Sequence, residues 1–187
     1  MTADALSPVS VLCLAILFRG ERTGYEIKKE SVEGDYRYFV EASYGSIYPA
    51  LTRLAAESYV TVREELQSGR PSKKVYALTE AGRGALLRAL MQRPGPDVFR
   101  SRFLLVAKFA THLPAEVLRC AIDARREELE RELDHLRAIG DADCENPAVA
   151  WIAAYGATCL SAELQYMTAH SDALIALAQP ALADATP

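Results

Sequence analysis

The sequence predicts a mainly α-helical protein with a small β-hairpin, folded as two domains. Three observations predict this fold class. Apolar residues recur at helical spacing through most of the 187 residues, the period shortens to alternation only over residues 59–78, and a Pro-Gly-Pro run at 94–96 interrupts the pattern. The predicted domains are therefore residues 1–93 and residues 94–187.

Two helices are predicted at the start of the first domain. Ser7 is a good N-cap and Pro8 suits the first helical position, so the first helix begins there. It ends at Arg19 and Gly20. Thr23 precedes a second helix, over residues 24–32.

The third predicted helix, at about residues 44–58, has two different faces. Ser43 caps it. Its apolar stripe consists of Ile47, Leu51 and Leu54. The opposite face carries Ser46, Thr52 and Arg53, with Tyr48 at its edge.

A hairpin and a fourth helix follow. Residues 59–64 and 73–78 alternate as strands do, and the turn-rich, basic segment 67–72 joins them. Thr79 then caps a helix that runs to about Gln92. The order helix, helix, helix, strand, basic loop, strand, helix is that of a winged helix-turn-helix domain.

That element order fits DNA. A helix of about 15 residues fits the major groove, and its N-terminus near Ser43 favours a phosphate. Arg70, Lys73 and Lys74 would reach a flanking phosphate from the wing, which is the predicted hairpin. Two alternatives remain at this point: a winged helix can instead bind proteins as a scaffold, and lysines at 73 and 74 also protect a hairpin edge from aggregation.

The charge is divided unevenly between the two domains. The net charge of the chain is −4, but residues 1–93 hold 13 basic and 11 acidic side chains, whereas residues 94–187 hold 8 and 14. A mildly basic half and an acidic half indicate two parts with different partners.

The second domain is predicted to be helical and to form a homodimer. Phe99, Phe103, Val106 and Ala110 have helical spacing, a long amphipathic helix follows over 114–139, and Asn146 with Pro147 caps a last helix to about residue 178. Apolar residues on the last two helices are the candidate dimer contacts, with a self-contained helical bundle as the alternative. These candidates are Ile122, Leu129, Leu133, Leu136, Ile152, Leu160 and Met167.

Few residues suggest a role in ligand binding, redox chemistry, metal binding or catalysis. Trp151 and Tyr155 lie one helical turn apart and are the candidate contact for a small aromatic or lipophilic effector, with core packing as the alternative. The four cysteines have no zinc-type spacing and are expected to be reduced, small core residues of a cytoplasmic protein, although a redox sensor stays open. No metal, no cofactor and no membrane segment are expected, and the absence of a nucleophile–base signature or a phosphate loop argues against an enzyme.

Three segments resemble the PadR family of transcriptional regulators: Thr23–Ile27, Tyr44–Leu54 and Gly69–Gly82. The run Gly45–Leu51 is close to the recognition-helix signature of that family. The resemblance is strongest over about residues 8–92, and the helical remainder is similar to the longer subfamily, whose C-terminal helices form the dimer. The chain departs from the pattern at Ser58, where the family usually has glycine; a serine there must take a strained turn or extend the helix.

The resemblance implies a role for each matching residue. It implies that Ser46 and Tyr48 face DNA with Tyr44 and Arg53 nearby, that Tyr25 and Lys29 approach the DNA backbone, and that Arg70, Lys73 and Lys74 serve the wing. Family members are mostly repressors that act as homodimers on inverted repeats. Small ligands, such as phenolic acids or lipophilic cations, release them.

Overall fold

A computed structural model describes residues 6–67, 70–142 and 146–179. The chain divides into two compact units, residues 1–96 and residues 97–187, so the division follows directly after the Pro-Gly-Pro run.

Within the described residues, the first unit contains four α-helices, whose starts follow the sequence prediction, and a short 3-10 helix at Asp35–Tyr38. The α-helices are α1 (Pro8–Leu17), α2 (Gly24–Val32), α3 (Tyr44–Ala56) and α4 (Glu80–Leu90). The Ser7 hydroxyl accepts a hydrogen bond from the backbone N–H of Ser10 at 3.1 Å, as a helix cap does. The Thr23 hydroxyl accepts in the same way from Glu26, and the Glu26 carboxylate accepts from the Thr23 backbone N–H at 2.7 Å.

The sheet has three strands where the sequence predicts a hairpin. The strands are β1 (Arg22–Thr23), β2 (Val60–Gln67) and β3 (Arg70–Leu78), all antiparallel, in the order β1-β3-β2. The hairpin is confirmed, but its strands extend further than predicted, since Arg70 pairs with Gln67 instead of lying in a long loop. β1 escaped prediction because two residues are too few to show alternation.

The turn between α3 and β2 adopts the strained conformation expected at Ser58. Its φ angle is 59°, in the left-handed region that favours glycine. The N–H groups of Ser58 and Tyr59 donate to the carbonyls of Ala55 and Leu54 at 3.1 and 2.9 Å. These two bonds form a Schellman motif, which ends α3 although no glycine is present.

Thr79 and Gly82 hold this turn against the start of α4. The single hydroxyl hydrogen of Thr79 is shared between the carbonyl oxygens of Ser58 and Tyr59, at 2.8 and 3.0 Å from Oγ1, and the hydroxyl oxygen accepts from the Gly82 N–H. A Cβ at position 82 would lie 2.0 Å from the Tyr59 oxygen, so only glycine allows this approach.

One apolar core holds α1, α2 and α3 together and fixes which face of α3 is exposed. Its fully or nearly fully buried side chains include Leu14, Ile16, Leu17, Ile27, Ile47, Leu51 and Leu54. The predicted stripe of α3, Ile47, Leu51 and Leu54, is thus confirmed as its inward face.

The described part of the second unit contains α5 (Arg102–Lys108), a short 3-10 helix (Ala110–His112), α6 (Ala115–Ala142) and α7 (Pro147–Ile175). The prediction of a helix that includes Phe99 is wrong: residues 93–101 have no regular structure, and Phe99 is 72% exposed. The helices α6 and α7 pack side by side, with Gly156 so close to Leu136 that an added Cβ would lie 2.9 Å from its Cδ1. The Arg125 guanidinium donates to both carboxylate oxygens of Glu163 at 2.9 and 3.0 Å.

Candidate nucleic-acid interface

The exposed face of α3 is the centre of the candidate interface. Pro49 and Thr52 lie along its middle, and Tyr48 and Arg53 lie at its two edges, all of them exposed. Because the opposite face is locked into the core, α3 presents this face in a single orientation.

The N-terminus of α3 is organised by two serines. The backbone N–H of Ser43 donates to the Ser46 hydroxyl at 2.9 Å, and that hydroxyl donates back to the Ser43 carbonyl at 3.0 Å. Ser43 is exposed and Ser46 half-buried. The Ser46 hydroxyl, which the family resemblance assigns to DNA, therefore also stabilises the start of the helix.

Tyr48 connects α3 to the N-terminus of α2. Its ring lies so close to Gly24 that a Cβ at position 24 would be 2.8 Å from the ring carbon Cε1. The side chain remains 40% exposed. Sequence reasoning did not identify Gly24 as part of the site, although its place inside the matching segment Thr23–Ile27 was a signal that could have done so.

The α2 residues assigned to the DNA backbone are exposed. Tyr25 is 62% exposed, and Lys29 lies exposed one turn further along the helix. Two hydrogen bonds from Thr23 are the main cause that lowers the pKa of Glu26, so this carboxylate is held as a charged helix cap beside Tyr25. The Arg22 guanidinium donates to Glu30 at 2.8 Å, a contact that the sequence pattern did not suggest.

The wing carries a network of ion pairs that the sequence analysis did not foresee. Lys73 Nζ lies 3.0 Å from a carboxylate oxygen of Glu65. Arg63 contacts the same carboxylate at 3.0 Å and Glu21 at 2.5 Å. Lys74 is exposed and lies opposite Glu64 in the β2–β3 register. The side chains of Tyr44 and Arg70, both predicted to serve the interface, lie outside the described residues.

Most of the predicted dimer contacts are buried within one chain. Ile122, Leu129 and Met167 form the core between α6 and α7, Leu160 packs against it, and Leu133 and Leu136 are buried as well. Ile152 differs from these residues because it is 43% exposed. The sequence periodicity identified apolar helix faces that are buried, but it could not distinguish a partner helix in the same chain from one in a second subunit, and the dimer stays a prediction.

The candidate effector pair lies on the surface of α7. The rings of Trp151 and Tyr155 stack with their centroids 5.6 Å apart and their planes 5° from parallel. They are 68% and 59% exposed, so the alternative of core packing is wrong. The electrostatic interaction with the nearby Cys159 side chain, followed by a hydrogen bond with it, raises the pKa of Tyr155.

The cysteines do not share one environment. Burial raises the pKa of the Cys13 thiol to about 12, as for a core residue. Cys120 and Cys159 are exposed, so the core assignment is wrong for these two, and Cys144 lies outside the described residues. Among the residues that the structure describes, no group of three His, Cys, Asp or Glu side chains could hold a metal ion, and no helix is long and apolar enough to cross a membrane.

Three core helices, a three-stranded sheet with a β2–β3 wing, and an outward-facing third helix define a winged helix-turn-helix domain, as predicted. Residues 13–88 match the Transcriptional regulator PadR-like family. This segment therefore matches a PadR-like domain, which confirms the resemblance seen in the sequence.

A curated relative agrees with this family. The Negative transcriptional regulator PadR of Bacillus subtilis is 34% identical over 101 residues, which cover 54% of this chain and 55% of the relative. The chain thus spans about half the length of this relative in the matched region.

Solved structures show the same fold over more of the chain. The crystal structure of smu.1604c from Streptococcus mutans has a TM-score of 0.76 and 27% identity, and the match covers 86% of this chain and 96% of that one. B. subtilis PadR in complex with operator DNA has a TM-score of 0.70 and 21% identity, over 89% and 98% of the two chains. The same protein in complex with p-coumaric acid has a TM-score of 0.64 and 20% identity, over 90% and 99%.

Proposed function

We propose that this protein is a sequence-specific, DNA-binding transcriptional regulator that acts as a homodimeric repressor on an inverted-repeat operator. The observation that carries the proposal is the exposed face of α3, with Tyr48 and Arg53 at its edges on a helix whose other face is fixed in the core. A rigid helix with an open, polar-edged face is suited to the major groove. The B. subtilis relative, a negative regulator, binds operator DNA, which supports this use of the fold.

The proposal gives different tasks to the two edges of α3. Arg53 has a long, charged side chain without an ion-pair partner among the described residues, so it is available for a base edge or a phosphate. Tyr48 packs on Gly24, so it contributes both to the surface and to the angle between α2 and α3. The small side chains between them allow the helix to approach DNA closely.

An Arg53→Ala variant tests the proposal. We expect its affinity for a duplex from upstream of its own gene to fall roughly 5- to 100-fold, the effect of one good contact. Arg131→Ala is the matched control, because Arg131 is also an exposed arginine but lies on α6 in the other unit. Fluorescence anisotropy of labelled duplex measures both. Equal, wild-type affinity in the two variants would contradict the role given to α3.

The homodimer and the effector belong to the same proposal. Among the predicted dimer contacts, Ile152 is the exposed one, so it is the proposed contact to a second subunit.

The stacked Trp151–Tyr155 pair is the proposed contact for an aromatic effector, and the p-coumaric acid complex of the relative supports that ligand class. Trp151 is the single tryptophan of the chain, so quenching of its fluorescence by p-coumaric acid tests this contact directly. We propose that the protein is located in the cytoplasm, because regulation of transcription requires access to DNA.

A further inference from the structure

The charged side chains on the two faces of the wing differ in whether they form ion pairs. In the β2–β3 register, Glu65 lies opposite Lys73 and Glu64 lies opposite Lys74. Successive side chains of a strand point to opposite faces, so these two acid–base pairs lie on opposite sides of the sheet. Glu65 and Lys73 form an ion pair at 3.0 Å, whereas no ion pair within the described part of the chain involves Glu64 or Lys74.

Within this group of ion pairs, Glu65 is the partner of Lys73. Arg63 contacts Glu65 but also contacts Glu21, so it keeps a partner if Glu65 is lost. Lys73 also acts electrostatically on Glu26, but the Glu26 carboxylate already accepts hydrogen bonds from the backbone and the hydroxyl of Thr23 at 2.7 and 2.8 Å. Glu65 is therefore the one acid that contacts Lys73 directly among the described residues.

A carboxylate in that position competes with DNA. Lys73 would bind a backbone phosphate through the same ammonium group that now binds Glu65. Binding must then break the ion pair, and it also brings the negative Glu65 towards a polyanion. Both effects weaken a contact that carries no sequence information.

We propose that Glu65 holds Lys73 as an internal substitute for DNA phosphate and thereby lowers the affinity of the wing for DNA of any sequence. This inference rests on the proposed function, because it concerns how that function is tuned. A regulator gains from such a device, since the many non-specific sites of a genome compete with its operator. The reading of sequence by α3 is left unchanged.

A Glu65→Gln variant tests the proposal, with Glu64→Gln as its matched control. Both changes remove one negative charge from neighbouring positions of β2, but only the first releases a paired lysine. We expect Glu65→Gln to bind both operator and random duplexes about two- to fivefold more tightly per subunit, the range for an exposed ion pair. The slope of log affinity against log salt should steepen, by at most about 0.9 per subunit, because Lys73 would then meet phosphate without first leaving Glu65. Glu64→Gln should change the slope much less.

The same substitution in a Lys73→Ala background completes the test. The gain from Glu65→Gln should disappear there, because the released group is absent. Equal slopes in the two glutamine variants, or a gain that persists without Lys73, would overturn the inference while leaving the proposed function intact. If the wild-type protein and all variants bind neither duplex at any salt concentration, the proposed function fails and the inference fails with it.

Discussion

A Ser58→Gly substitution should stabilise the first unit. Ser58 is the residue at which the chain leaves α3 in a left-handed conformation, with a φ angle of 59°. Its backbone N–H and carbonyl are both bonded, to Ala55 and to Thr79, and glycine keeps both bonds. The side chain is exposed and makes no hydrogen bond within the described residues, so its removal loses no described contact.

Two opposing terms give the size of the effect. A Cβ in the left-handed region costs about 1–2 kcal/mol, which glycine does not incur. Glycine loses about 0.5–1 kcal/mol more on folding than alanine does, because its unfolded chain is freer. The free energy of unfolding of the first unit should therefore rise by about 0.5–1 kcal/mol.

Hydrogen exchange followed by mass spectrometry measures this change in the full chain. Peptides from the core of α1 and α3 report on the first unit. Tryptophan fluorescence would not, because the single tryptophan, Trp151, lies in the second unit. Exchange through global unfolding of the first unit should slow about two- to fivefold in Ser58→Gly. Ser58→Ala is the control, since it removes the hydroxyl but keeps the Cβ. An equal gain in both variants, or no gain in either, would refute the argument that backbone strain at Ser58 is stored in the fold.

Three further predictions follow from packing and exposure. Gly82→Ala should destabilise the first unit by about 2 kcal/mol or more in urea unfolding, because the new Cβ overlaps the Tyr59 carbonyl; a wild-type midpoint would contradict that contact. Leu129→Glu should unfold the α6–α7 pair, because it buries a carboxylate, and the loss of helical circular dichroism would show this; native helicity in that variant would refute the core position of Leu129. Ile152→Glu should keep the helices but yield monomers in light scattering, because Ile152 is exposed. Cys13, with its pKa near 12, should resist alkylation at pH 8 until the protein unfolds, as mass spectrometry would show, and rapid labelling would contradict its burial.

Local signals in the sequence were sufficient to predict the helices and the inward face of α3 in the first unit. The caps at Ser7 and Thr23 and the stripe from Ile47 to Leu54 each depend on residues within one or two helical turns, so spacing alone reveals them. The turn at Ser58 was flagged by the family resemblance, which has glycine there and left a strained turn or a longer helix as the alternatives; the positive φ angle selects the strained turn.

The features that escaped prediction depend on long-range contacts. The ion pair between Glu65 and Lys73 follows from the strand register, which the sequence leaves open by one or two residues. The burial of Leu129 against α7 depends on which helix meets which. Phe99 has helical spacing with its neighbours, but the preceding Pro-Gly-Pro run delays the helix to Arg102.

Selection of DNA fragments by the full-length protein tests the central claim most directly. The claim is that the exposed face of α3 reads a DNA sequence. Genomic fragments bound at moderate salt should converge on one inverted repeat whose half-sites lie about one helical turn, or a multiple of it, apart, and Arg53→Ala should weaken that enrichment. Retention of fragments without any shared sequence, at a level equal in the wild type and in Arg53→Ala, would contradict the claim.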